Sequence, residues 1–212
     1  MTAVSLDVDL LRNERCVAIV RGTSVQHFSA TAHTLVDCGI QVLEFPLTTP
    51  GVLSALRPII DDLGPEACVG TGSVTSVDKA RASFDAGAQF LVTPNLDLPV
   101  IEYATEVGLP ILVGAFSPTE IFTAWEAGAT AVKLFPATLG GPRYLRELTR
   151  GPFPTIPLVP TGGVTMADIP LFLAAGAVAF GMGGTLLGDA PDGGLLEDLR
   201  LRIRDFRKAV SG

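Results

Sequence analysis

Short apolar runs recur along this chain at a nearly even interval, and each is followed by a stretch of mixed polarity. The runs are Cys16–Val20, Val42–Leu47, Ala67–Gly70, Phe90–Val92, Ile111–Phe116, Ala131–Phe135, Pro157–Val159 and Val178–Met182. Continuous apolar stretches this short read as strands covered on both faces, as in a parallel sheet. Gly39, Gly64, Gly87, Gly108, Gly128, Gly151 and Gly176 precede all but the first of them, 20 to 25 residues apart. Glycine is the usual residue just past a helix because it accepts a positive φ. Two helix starts carry their own signals. Thr49-Pro50 predicts a cap followed by a first-turn proline, and Ser117-Pro118-Thr119-Glu120 predicts a capping box. Eight such units in succession predict a closed (β/α)8 TIM barrel, with an open doubly wound sheet as the alternative. A single domain over residues 1–212 is expected. Residues 1–14 are expected as a short extra N-terminal helix over the barrel bottom, and Leu195–Val210 as the eighth helix.

Composition narrows the function. Apolar residues make up 48% of the chain and charged ones 17%, the balance of a protein with a large buried sheet. The net charge is −7 and the basic residues are scattered, which argues against a nucleic-acid partner. An anionic substrate would have to be met by local groups against that field. Cys16, Cys38 and Cys68 are far apart and show no metal-binding or redox spacing. The only histidines, His27 and His33, both fall in the predicted first helix, so no metal site is expected. The N-terminus lacks the pattern of a signal peptide, and no apolar stretch is long enough to span a membrane. A cytoplasmic protein with no membrane partner is the expectation.

The chemistry is sought at the C-terminal ends of the strands, where barrel enzymes keep their active sites. Lys133 interrupts the apolar run Ala131–Phe135, whereas Lys79 and Lys208 fall on helices. Alternation puts Ala131, Lys133 and Phe135 on one face and Val132 and Leu134 on the other. If the first set points inward, the amine is buried without a partner, and its neutral, nucleophilic form is favoured. A lysine in a buried ion pair is the plainer reading. Glu44 interrupts Val42–Leu47 and shares a face with Val42, where a carboxylate is rarely present for packing. Strands 2 and 6 stand across a barrel from each other, so Glu44 and Lys133 would face one ligand, with Glu44 as general acid/base. Arg21 ends the first strand and is suited to a bidentate carboxylate contact, or else it lies free in solvent. Thr161-Gly162-Gly163 and Gly183-Gly184 follow the last two strands, the recurrent phosphate site of this fold. Gly70-Thr71-Gly72-Ser73 ends the third strand and offers a hydroxyl on Ser73; a capped turn explains it nearly as well.

Together the motifs Leu43-Glu44-Phe45-Pro46-Leu47, Gly70-Thr71-Gly72-Ser73-Val74, Thr93-Pro94-Asn95, Val132-Lys133-Leu134-Phe135-Pro136 and Pro160-Thr161-Gly162-Gly163-Val164 resemble the 2-keto-3-deoxy-6-phosphogluconate (KDPG) aldolases. Relatives of that group act on the 6-phosphogalactonate analogue (KDPGal) or on 4-hydroxy-2-oxoglutarate. The resemblance runs in order from about Cys16 to Leu187. It implies a class I aldolase without cofactor or metal that yields pyruvate and glyceraldehyde 3-phosphate. It implies that Lys133 forms the Schiff base and that Glu44 shuttles protons. Arg21, Ser73, Pro94 and Thr161 would contact the substrate, and Gly162, Gly163, Gly183 and Gly184 its phosphate. A homotrimer is implied as well. Three positions depart from the usual pattern. Thr48 stands where many phosphogluconate-type members have Arg, Ser73 where Thr is usual, and Gly184 where Ser is common. They leave the preference at C4 open. A sugar-phosphate isomerase or epimerase on the same barrel, or a phospho-ligand binding protein without catalysis, remain the alternatives.

Overall fold

The computed structural model describes residues 5–211. Helix α1 (Val8–Glu14) leads into β1 (Cys16–Ile19), α2 (Phe28–Asp37), β2 (Val42–Pro46) and α3 (Val52–Leu63). Then follow β3 (Cys68–Gly72), α4 (Val77–Asp85), β4 (Leu91–Val92), α5 (Leu98–Glu106), β5 (Ile111–Ala115) and α6 (Pro118–Glu126). The chain continues through β6 (Ala131–Leu134), α7 (Ala137–Arg150), β7 (Leu158–Pro160), α8 (Ile169–Ala174) and β8 (Phe180–Met182). It ends with the short α9 (Gly184–Leu187) and the long α10 (Leu196–Ser211). The eight strands are all parallel and ordered β7-β6-β5-β4-β3-β2-β1-β8, and a parallel bridge from Thr161 to Gly181 brings β7 against β8. This is a (β/α)8 barrel.

Strand alternation sorts the core into two layers. Outward residues such as Leu43, Phe45, Val132 and Leu134 pack under the helices. Inward residues at the lower ends of the strands, among them Val17, Val42, Phe90, Leu112, Ala131 and Val159, form a second apolar cluster inside the barrel. Leu6 and Leu11 belong to this inner cluster, so α1 with the segment before it plugs the barrel bottom as expected. The helix is shorter than residues 1–14: it starts after Asp7, whose carboxylate accepts from the Leu10 N–H, and residues 1–4 lie outside the described residues.

Local signals account for several helix starts. Ser117 caps α6 and Glu120 returns the bond, completing the capping box. Ser76 and Asp97 cap α4 and α5. Two expectations are corrected. Thr49-Pro50 does not cap a helix: α3 begins at Val52 behind Gly51 at φ 87°, and the Thr49 hydroxyl is engaged with Gly22 instead. Six of the seven helix-ending glycines have positive φ, but Gly151 closes α7 at φ −104°. The eighth helix spans Leu196–Ser211, and a separate short helix, α9, intervenes directly after β8.

Candidate active site

At the upper ends of the strands the inward positions change character. A cavity of about 260 Å³ opens there, and its wall includes Arg21, Ser73, Pro94, Lys133, Thr161, Gly162, Gly163, Gly183 and Gly184. Nine of the ten residues singled out in the sequence thus share one wall. Ile19, Phe135, Val164, Gly181 and Thr185 complete it.

Lys133 is carried inward by β6, two residues above Ala131 of the inner core, and is 8% exposed. Its Nζ lies 5.2 Å from the centre of the Phe135 ring, a cation–π distance. Strand alternation predicts Phe135 on the Lys133 face, whereas its contact with the amine is a tertiary feature that alternation does not specify. Its peptide bond to Pro136 is cis.

Glu44 is the tenth residue. It is 2% exposed and is not among the residues that line the cavity. Its carboxylate lies over Gly72 on the neighbouring strand, where a Cβ would overlap Oε1. Glycine at that position is therefore what makes room for the acid. Burial pushes the Glu44 carboxyl above its ordinary value, while the Lys133 and then the Arg21 charges pull it back. The two cations are thus close enough to act on it, yet Lys133 and Glu44 form no ion pair within 4 Å among the described residues. A buried ion pair, the plainer reading of Lys133, is not what the structure holds.

The remaining walls are set by backbone geometry. Thr161 is 4% exposed and its hydroxyl donates to the Val159 carbonyl at 3.2 Å. Gly181 faces it, and a side chain there would strike the Thr161 hydroxyl. Gly162 and Gly163 turn through left-handed conformations at φ 91° and 73°. Gly183 precedes α9, whose first N–H groups have no partner inside the helix. The two glycine loops meet at one end of the cavity, a setting that favours an anionic group. Ser73 adopts φ 59°, an uncommon conformation for a residue with a side chain. Thr93 ties the β4 end to its neighbour: its hydroxyl accepts from the Gly114 N–H at 3.0 Å and donates to the Asn95 carbonyl at 2.8 Å. That anchors the loop carrying Pro94. Among the described residues no three His, Cys, Asp or Glu side chains gather to hold a metal ion.

An inward amine, a buried acid whose carboxyl is pushed above its ordinary value and a glycine-lined anion pocket are what carbonyl chemistry on a phosphorylated ligand requires. The comparisons agree. The sequence model of the family "KDPG and KHG aldolase" matches residues 8–194. The 2-dehydro-3-deoxy-6-phosphogalactonate aldolase of Escherichia coli (strain K12) is 34% identical over 170 residues, covering 80% of this chain and 83% of that protein. The KHG/KDPG aldolase of the same organism is 32% identical over 198 residues, covering 92% and 91%. A solved structure named "Native KDPGal" superposes with a TM-score of 0.87 at 32% identity, over 92% of this chain and 94% of that one. The chain belongs to the KDPG and KHG aldolase family and is an aldolase, a carbon–carbon lyase.

Proposed function

We propose that this single-domain enzyme cleaves a 2-keto-3-deoxy-6-phospho sugar acid into pyruvate and glyceraldehyde 3-phosphate through a Schiff base on Lys133. The observation that carries it is the inward Lys133 amine sharing one cavity with the glycine turns, with the buried Glu44 near enough to feel its charge. The neutral amine adds to the C2 carbonyl, and the carbinolamine takes a proton from the Glu44 carboxyl through a water and loses its hydroxyl as water, which gives a protonated imine and leaves Glu44 ionised. Glu44, acting through a water, takes the C4 hydroxyl proton as the C3–C4 bond breaks. The bonding electrons enter the imine, which becomes an enamine. Glyceraldehyde 3-phosphate leaves, the enamine takes a proton at C3, and hydrolysis releases pyruvate and the free lysine. The electron sink is built from the side chain itself, so no cofactor or metal enters the scheme.

Arg21 and Ser73, with Thr161 and Pro94, hold the pyruvyl end and its carboxylate. The N–H groups of Gly162, Gly163, Gly183 and Gly184 hold the phosphate. The glycine pocket supports a phosphorylated substrate over 4-hydroxy-2-oxoglutarate. The relatives named for galactonate and gluconate substrates leave both C4 epimers to be tried.

Borohydride added with pyruvate is expected to leave a reduced adduct on the Lys133 peptide, read by mass spectrometry; an unmodified peptide rejects the scheme. Cleavage rates on KDPG, KDPGal and 4-hydroxy-2-oxoglutarate, with pyruvate read by coupled reduction to lactate, assign the substrate. The proposal carries a homotrimer and a cytoplasmic location with it, checked by sedimentation and by cell fractionation. Among the described residues no helix is long and apolar enough to cross a membrane.

A further inference from the structure

Arg21 reaches the cavity from an exposed loop, between the end of β1 and the start of α2. A long side chain on a loose loop would lose much entropy on binding a carboxylate. This loop is held at three successive residues. The Arg21 N–H donates to the Ile19 carbonyl at 3.1 Å. Gly22 is gripped by Thr49, whose hydroxyl accepts from the Gly22 N–H at 3.3 Å and donates to the Gly22 carbonyl at 3.0 Å. Thr23 is gripped by Asp192, whose Oδ1 accepts from the Thr23 N–H at 2.6 Å and from the Thr23 hydroxyl at 2.7 Å. Those two bonds hold the Asp192 carboxyl below the usual carboxylate range. Gly22 lies tight against the anchor: a Cβ there would sit 3.0 Å from both Asp192 Oδ1 and the Pro191 carbonyl.

The two grips come from different parts of the chain. Thr49 is buried just after β2, the strand of Glu44, and Asp192 sits on the connection that begins with Gly183 and α9. The loop of the carboxylate end is therefore fastened to the segment of the phosphate end. Arg21 itself forms no ion pair within 4 Å among the described residues, so its guanidinium is free for a ligand.

We infer that Thr49 and Asp192 are positioning residues that preorganise Arg21 for the substrate carboxylate and fix its distance from the phosphate loops. The inference rests on the reading of Arg21 as the carboxylate contact. It predicts an effect on KM with kcat nearly held, because the reacting amine stays in place and Lys133, not Arg21, exerts the larger pull on Glu44.

The test measures KM and kcat for the best of the three keto-acid substrates, with thermal melting as the check on folding. Arg21→Ala is expected to raise KM by tenfold or more, on the order of one charge-assisted contact. Asp192→Ala and Thr49→Val are each expected to raise KM by about three- to tenfold with kcat within about twofold. Asp192→Asn and Thr49→Ser, which keep the accepting oxygen and the hydroxyl, should recover most of the loss. The deciding variant is Arg21→Ala combined with Asp192→Ala: its KM should equal that of Arg21→Ala alone, since the anchor has nothing left to aim. If Arg21→Ala leaves KM unchanged, the carboxylate reading falls and the inference with it. If Arg21→Ala raises KM but Asp192→Ala and Thr49→Val do not, the positioning role alone is overturned. Additive effects in the double variant overturn it too, as does a fall in KM for Asp192→Ala, which would mean that the carboxylate screens Arg21 rather than holding its loop.

Discussion

The lower and upper halves of the barrel interior are built by the same strands, and a step of two residues separates them. On β6 the inward face passes from Ala131 to Lys133, on β2 from Val42 to Glu44, and from Val159 of β7 to Thr161 just past its end. On β8 and just before it, Ala179 gives way to Gly181. The lower layer is apolar throughout and sealed by Leu6 and Leu11. The upper layer holds an amine, an acid, a hydroxyl and glycines that leave space. Since alternation returns a residue to the same face every second position, one strand serves stability at its start and chemistry at its end. The two layers should respond to substitution in opposite ways.

The largest effect is expected at Lys133. Lys133→Met keeps the volume and removes the only inward lysine amine among the described residues, so aldol cleavage and borohydride trapping should both vanish. That loss exceeds the roughly 10²–10⁴-fold expected for removing an acid or base. Thermal melting should stay level or rise, because a buried unpaired charge is gone. Residual adduct elsewhere on the chain would break the assignment.

Glu44→Gln comes next: the adduct should still form, while kcat falls by roughly 10²–10⁴-fold. Its stability should shift with pH. Burial raises the Glu44 carboxyl above 4.5, so the folded state binds its proton more tightly than the unfolded chain. Wild-type stability from this group is complete below 4.5 and is lost as pH rises toward the raised value. Glu44→Gln should therefore melt like wild type in acid and increasingly higher as pH rises, to a plateau. A constant difference across pH would show that the carboxyl is not perturbed.

Much of this upper layer is legible in the sequence because it breaks a pattern. Lys133 and Glu44 are the polar interruptions of apolar strands, and the glycine pairs stand where the strands end. The illegible parts depend on which strand lies alongside. Gly72 matters because β2 places Glu44 beside it, and Gly181 because Thr161 comes across from β7. Neither neighbour is near in sequence. Thr49 next to Pro50 has the local look of a helix cap, but its partner Gly22 is 27 positions away, and the tertiary bond prevails over the local signal. Phe135 could be placed on the right face, but an aromatic residue at a strand end says nothing by itself about an amine above its ring.

The lower layer should show the opposite balance. Leu11 is fully buried in the plug, and Leu11→Ala is expected to lower unfolding free energy by about 2–5 kcal/mol, the range for deleting a buried leucine. Urea denaturation measures that, and kcat/KM at moderate temperature should stay within about twofold of wild type. A loss of activity in a variant that is still folded would show that the plug shapes the cavity above it, and the division into two layers would fail.

The smallest effects come from two backbones that share one uncommon conformation. Arg15 at the bottom and Ser73 at the top are the non-glycine residues with positive φ among the described residues, at 60° and 59°. A side chain in that region costs about 1–2 kcal/mol. Glycine removes the strain but adds about 0.5–1 kcal/mol of unfolded-chain entropy. Ser73→Gly should therefore change stability by less than about 1 kcal/mol, with a small gain as the favoured sign. Arg15→Gly also removes the guanidinium bond to the Val178 carbonyl at 3.0 Å. It should lose up to about 1 kcal/mol in balance, the worth of one such bond. Activity separates the pair. Ser73 lines the cavity and its hydroxyl is expected at the pyruvyl end, so Ser73→Gly should raise KM a few-fold, on the order of one neutral hydrogen bond. Arg15→Gly should leave KM alone. If Ser73→Gly instead binds substrate as wild type does, its strained backbone has no bearing on the site, and strain is no more a mark of the upper layer than of the lower one.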